Sequence, residues 1–174
     1  TLKHFELPMP TPEDTPIALT NLSHPRTSYM LSKIYGEALC QQSGLPFTIF
    51  RPHNVYGPRM GMAHVIPEQL RKAHDAKDGD SIDVFSINHT RSFCYIDDAV
   101  EILFRMMIND DCNGKTLNLG NQGPEVKIKE VAQECFSVVG KKLFINEKPE
   151  TPGSPKRRAP DMEISSSLIN FQSQ

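Results

Sequence analysis

An α/β fold with a parallel sheet is what this 174-residue sequence predicts. Short runs of β-forming residues alternate with segments of helical period along most of the chain, the pattern of strand–crossover–strand units. Apolar residues at 38%, charged residues at 23% and a net charge of −2 fit a globular chain long enough to bury a sizeable core. No internal repeat or low-complexity tract competes with that reading.

The first 27 residues read as a loop, punctuated by Pro8, Pro10, Pro12, Pro16 and Pro25. A helix starts near Thr27 or Ser28, either of which could cap it, with a stripe of Leu31, Ile34, Ala38 and Leu39 and a stop at Gly44. Phe47–Phe50 is a short apolar run that predicts a buried strand, ending in the loop Arg51–Pro58. Val65–Ala76 is helical through Ile66, Leu70 and Ala73, and Ile82–Phe85 is a strand. Asp97–Ile108 has an acidic start and a face of Val100, Leu103, Phe104 and Met107, which predicts an amphipathic helix. Thr116–Leu119 is a strand, Lys127–Val139 a helix closed by Gly140, and Phe144–Asn146 one more strand. Ile164–Gln174 reads as a polar stretch with no packed terminal element.

Composition excludes several classes of function. The near-neutral charge gives no electrostatic reason to expect nucleic acid or an anionic membrane. No apolar run approaches the roughly 20 residues of a membrane span. Cys40, Cys94, Cys112 and Cys135 are widely spaced, and three lie in apolar patterns, so they read as small core residues of a reducing compartment such as the cytoplasm. The six histidines are equally scattered, so no metal site is predicted.

The segment Tyr29-Met30-Leu31-Ser32-Lys33 carries the chemistry. Residues four apart share a helix face, so the phenol and the ammonium project together. A phenol, with an unperturbed pKa near ~10, is a poor base at neutral pH, and an adjacent ammonium favours the phenolate. Such a group can exchange a proton with an alcohol being oxidised. Taken alone, the spacing more often marks an ordinary exposed Tyr–Lys pair.

Its surroundings resemble the extended short-chain dehydrogenase/reductase family, in particular its nucleotide-sugar epimerases, dehydratases and decarboxylases. The similar segments run in order: Pro10–Pro16, the helix with Ser28-Tyr29…Ser32-Lys33…Gly36-Glu37, Arg51-Pro52-His53-Asn54-Val55-Tyr56-Gly57-Pro58, Arg91–Asp98, Asn118-Leu119-Gly120 and Arg158-Ala159-Pro160-Asp161. The resemblance implies the C-terminal part of a doubly wound Rossmann-type sheet, with a small α/β substrate-binding domain. Residues 1–58 would be the remnant of the dinucleotide domain and 59–174 mainly the substrate domain, with 97–120 packing back on the sheet.

It also implies roles. Tyr29 would transfer the proton, and Lys33 would partner it and touch the nicotinamide ribose, with Pro52 beside the cofactor. Asn54, Arg91 and Arg158 would contact the substrate diphosphate, while His64 and Val65 would contact phosphate or nucleotide. Planar bidentate donors suit a diphosphate. From the residues alone, an Asx-turn role for Asn54 and solvated arginines stay open, and Asp97 and Asp98 read as a helix start.

The cofactor implied is NAD, with NADP an alternative, and the substrate a nucleotide-diphosphate sugar. A homodimer through the Tyr29 helix is also implied, as is a catalytically silent binding protein as the second option. The glycine-rich turn that holds the pyrophosphate in such folds is not among these residues, nor is the family's catalytic Ser or Thr, a role for which Thr1 is a poor match. The resemblance further predicts that the chain is a piece of a longer enzyme and lacks the family's final helix.

Overall fold

The computed structural model describes residues 8–17, 22–23, 27–152 and 154–173. Thr1 lies outside these residues. Helix α1 (Thr27–Gln42) leads into β1 (Thr48–Pro52), and Gly44 turns the chain between them at a φ of +70°. The two-residue strand β2 (Val55–Tyr56) precedes α2 (Val65–Asp75) and β3 (Ser81–Phe85). Next come β4 (Thr90–Arg91), β5 (Cys94–Tyr95) and α3 (Ile96–Ile108), then β6 (Lys115–Leu119). The chain continues through β7 (Val126–Lys127), α4 (Ile128–Val139), β8 (Phe144–Lys148), β9 (Arg157–Arg158) and α5 (Glu163–Ile169).

The pairings β1–β6, β2–β5 and β3–β8 are all parallel, as the alternating sequence predicts. In the first, Thr48 stands opposite Lys115 and Pro52 opposite Leu119. A three-stranded sheet in the order β7–β4–β9 mixes an antiparallel with a parallel pair.

Two apolar cores organise these sheets. One gathers Ala99, Ile102 and Met106 of α3 with Leu117 and Leu119 of β6, Cys94, Cys112, Met162 and Ile169. The other joins α2, β3 and α4 through Ala73, Ile82, Val84, Ile128, Ala132 and Phe136. Helix α2 ends where the Lys141 ammonium donates to the carbonyls of Ala73, His74 and Ala76, a cationic cap on groups that a helix leaves unpaired. Helix α4 starts with the Glu130 carboxylate accepting the Lys127 amide and stops at Gly140, whose φ is +75°.

Two expectations need correction. The buried face of α3 is Ala99, Ile102 and Met106, and Val100, Leu103, Phe104 and Met107 are exposed. Both faces are apolar, so periodicity does not choose between them. The segment after Asp161 does pack: α5 buries Ser165 and Ile169, and the Ser165 hydroxyl donates to the Asn118 carbonyl. Its three consecutive serines mask an element that closes on Asn170 in the left-handed region. The predicted stripe on α1 is mostly solvent-facing, and among the described residues of that helix only Thr27 is buried.

Gly57 has a steric reason. A Cβ there would stand 2.4 Å from Ile96 Cγ2 at the start of α3, so no larger residue fits without moving the helix.

Candidate active site

Tyr29 and Lys33 lie one turn apart on α1, and the Lys33 ammonium sits 5.3 Å from the centroid of the Tyr29 ring. Such a contact at an exposed site is worth about 0.5–1 kcal/mol. The phenol is 64% exposed, so it is open to a bound partner. The family-like spacing therefore becomes a physical pair in which the cation lies over the ring.

Helix α1 is tied to the sheet by charge. Arg51 Nε and Nη2 donate to the two Glu37 carboxylate oxygens at 2.8 and 2.7 Å, and Arg51 Nη1 donates to the Glu13 carbonyl at 2.9 Å. Arg51 holds the Glu37 carboxyl below the usual carboxylate range, chiefly through that hydrogen bond, while burial works against it. The Glu13 carboxylate accepts the Asn118 amide at 2.8 Å. The Asn118 side chain then donates to the carbonyls of Thr11 and Asp161, each at 3.0 Å. Thr11 also pairs with Pro160 as an isolated parallel bridge. Loop 11–13, the β1 end, β6 and the segment after Arg158 are thus one polar unit.

Pro52 closes β1 opposite Leu119, and His53 follows it with Nε2 3.2 Å from Asn118 Oδ1. Burial is the main cause that lowers the His53 pKa. The Asn118 hydrogen bond opposes it, while Arg158 and Arg51 add repulsion. Asn54 adopts a φ of +43°, which Asn tolerates better than most residues. Its amide donates to the Ser92 carbonyl at 2.9 Å, a long-range brace beside Arg91 rather than a local turn.

Arg91 and Arg158 are 67 residues apart in sequence, yet the β4–β9 register sets them directly opposite each other. Directly opposed residues share a sheet face, and like charges there repel. Arg91 donates to the Ser154 hydroxyl at 2.9 Å and to the Thr90 carbonyl at 2.7 Å, and forms no ion pair among the described residues. Burial first, and then the neighbouring Arg158, disfavours its cationic form. The adjacent pair, Thr90 opposite Arg157, is treated differently: Glu125 accepts from both Thr90 and Arg157. At one register position Glu125 meets both residues, and at the next two guanidinium groups stand opposite each other.

His64 and Val65 begin α2, and no side chain caps that helix start. His64 is exposed and Val65 half-buried. Three groupings are therefore present: Tyr29 with Lys33, Asn54 with the Ser92–Arg91 segment, and Arg91 with Arg158. Sequence reasoning did not single out Glu13, Glu37, Arg51 or Asn118 as individuals, because no local spacing pairs Glu37 with Arg51 or Glu13 with Asn118. No metal-binding cluster occurs among the described residues. Among those residues, no helix is long and apolar enough to cross a membrane.

Comparison with known proteins agrees with this geometry. Residues 6–120 match the NAD dependent epimerase/dehydratase family. The chain is 30% identical over 139 residues to UDP-glucuronic acid decarboxylase 5 of Arabidopsis thaliana, covering 76% of this chain and 38% of that protein. It is 38% identical over 120 residues to UDP-N-acetyl-alpha-D-glucosaminuronate decarboxylase of Bacillus cytotoxicus, covering 65% of this chain and 36% of that protein. The Bordetella bronchiseptica enzyme WbmG, solved in complex with NAD and UDP, superposes with a TM-score of 0.78 at 22% identity, over 96% of this chain and 50% of its own. The chain thus spans under two-fifths of the length of those two relatives. A parallel α/β framework, a Tyr–Lys helix and a family match over most of the chain lead to one conclusion: this chain belongs to the NAD-dependent epimerase/dehydratase family.

Proposed function

We propose that the chain forms the substrate-side half of an enzyme that converts a nucleotide-diphosphate sugar through a keto-sugar intermediate. The carrying observation is the opposed pair Arg91 and Arg158, two cations held side by side where a diphosphate would neutralise both. Asn54 braces the segment beside them, and the uncapped α2 start at His64–Val65 offers amides suited to a further phosphate or nucleotide contact. The first core, with α1 and β1, is assigned to the dinucleotide domain and the second to the substrate domain. Residues 97–120 belong to the former, and α5 joins them by packing on the same core.

The exposed Tyr29–Lys33 pair fits the nicotinamide end of NAD, with Pro52 at the strand end nearby in sequence; NADP is the alternative. When bound, the cofactor supplies the hydride acceptor. The Tyr29 oxygen takes the proton of the sugar hydroxyl and returns one later, while Lys33 partners the phenol and orients the ribose. The arginines bind and orient the diphosphate, and the choice among epimerisation, dehydration and decarboxylation rests on residues elsewhere. Without a glycine-rich turn, these 174 residues alone bind NAD weakly and turn nothing over. We place the enzyme in the cytoplasm as a homodimer through α1. The rival reading, a non-catalytic binding protein, keeps the same site but needs no Tyr29 hydroxyl.

The test is turnover in the complete protein. Tyr29→Phe keeps the ring and should lose about 10²–10⁴ in kcat, with circular dichroism unchanged. A Phe variant retaining more than about a tenth of the wild-type rate removes Tyr29 from proton transfer and favours the binding protein.

A further inference from the structure

We propose that Arg51 and Glu37 are positioning residues, whose bidentate ion pair sets the rotation of α1 and so aims Tyr29 at the substrate-binding loop; this rests on the enzymatic reading above. Tyr29, Lys33 and Glu37 recur every four residues, so they form one slowly turning stripe along the helix. Within this chain apolar packing does not fix that stripe, since Thr27 is the single buried residue described in α1 and Leu31, Tyr35 and Leu39 are exposed. The Arg51 fork does. Its side chain is 27% exposed, Glu37's is 21%, and both oxygens of the carboxylate are engaged. A planar guanidinium bound at two points resists rotation about the helix axis in a way that a single contact cannot.

The same Arg51 belongs to β1, one residue before Pro52 and three before Asn54, and its third donor holds the Glu13 carbonyl. One side chain thereby ties the proton-transfer helix to the strand that leads into the substrate loop. The leverage is large. A side-chain tip about 6 Å from a helix axis moves roughly 3 Å when the helix turns by about 30°. Misplacing a reacting group by about 1 Å costs on the order of 10²-fold in rate.

The experiment compares Glu37→Gln, Arg51→Lys and the double variant in the complete protein. Glu37→Gln is nearly isosteric, and Arg51→Lys keeps the charge but not the fork. The expected result is a fall in kcat of about 10- to 100-fold in each single variant, with KM for the nucleotide sugar within about twofold of wild type. The double variant should be no worse than the poorer single one, because both break one interaction. A kcat within about twofold of wild type in Glu37→Gln, or a loss that appears in KM alone, overturns the proposal. Hydrogen exchange supplies an arm that needs no catalysis. Amides of α1 should exchange at least about tenfold faster in both single variants, while those of β6 and α4 keep their protection. If wild type shows no turnover, the enzymatic reading fails, and unchanged α1 exchange separately overturns the clamp.

Discussion

Replacing Arg91 by Ala should leave the ligand-free fold nearly as stable as before while removing most of its response to a nucleoside diphosphate. Strand neighbours stand about 4.8 Å apart, which allows two guanidinium groups on one face to approach to roughly 6 Å. At that separation their repulsion is about 0.7 kcal/mol if water screens them fully and about 2.8 kcal/mol at an effective dielectric near 20. Arg91 is half-buried, so the value lies between these limits. Against the relief stand the lost hydrogen bonds to the Ser154 hydroxyl and the Thr90 carbonyl, each worth about 0.5–1.5 kcal/mol net. The two effects nearly cancel, and the expected change in unfolding free energy is within about 1 kcal/mol.

Binding behaves differently, because the ligand meets the pair as a unit. Losing one charge-assisted contact costs about 1.5–3 kcal/mol, roughly 10- to 150-fold in affinity. A ligand at 100 times its Kd stabilises the wild-type chain by about 2.7 kcal/mol, and after a ~30-fold loss of affinity the same concentration contributes only ~0.9 kcal/mol. Urea unfolding of the 174-residue chain with and without UDP measures both quantities. Arg157→Ala is the control, since Arg157 is paired with Glu125 and should lose ligand-free stability yet keep the UDP response. Equal UDP stabilisation of wild type and Arg91→Ala would refute the reasoning, as would a larger loss of response in Arg157→Ala.

Lys141→Met should cost about 1.5–3 kcal/mol in urea unfolding, because one ammonium satisfies three carbonyls at the end of α2. Burial pushes the Cys94 thiol up to about 11 and raises Cys112 and Cys135, so a thiol reagent at pH 8 should titrate Cys40 alone in the native chain and all four cysteines in denaturant. Arg157, through its hydrogen bond, lowers the Glu125 carboxyl, so its stabilisation is complete above the unfolded value near ~4.3 and is lost as pH falls through the lower folded value. Glu125→Gln should therefore flatten the acid limb of a stability-against-pH curve, and an unchanged limb would show that the pair does not contribute.

Helices α2 and α4 and strand β3 were legible because each has one apolar face and a clear stop. In α3 the larger side chains Val100, Leu103, Phe104 and Met107 suggested the core, and the smaller Ala99 and the residues Ile102 and Met106 occupy it. Volume is a poor guide when both faces are apolar. The strands β2, β4, β5, β7 and β9 have two residues each, too few for any alternation to register. Helix α5 was hidden because its buried Ser165 is polar and is satisfied by distant residues, the Asn118 carbonyl and the Glu13 carboxylate. In the site, Tyr29 and Lys33 follow from local spacing. Arg91 and Arg158 were reachable through resemblance, since only the β4–β9 pairing brings them together. Glu37 with Arg51, and Glu13 with Asn118, depend on contacts across the fold that no periodicity encodes.

The contrast within the β7–β4–β9 sheet argues for what its arginines do. At Thr90 and Arg157, the sheet places Glu125 so that a cation, a hydroxyl and a carboxylate satisfy one another. One residue further, where the register opposes Arg91 to Arg158, Arg91 has carbonyl and hydroxyl acceptors but no carboxylate partner among the described residues. Two opposed cations repel each other, and an anion bound across them would relieve that repulsion. His53, held largely neutral by burial next to Arg158, leaves the pair's positive field intact without adding a third charge. The same logic separates the two halves of the site. The Tyr29 helix is located by an ion pair that fixes geometry, and the opposed arginines set two cations where a ligand's charge would be met.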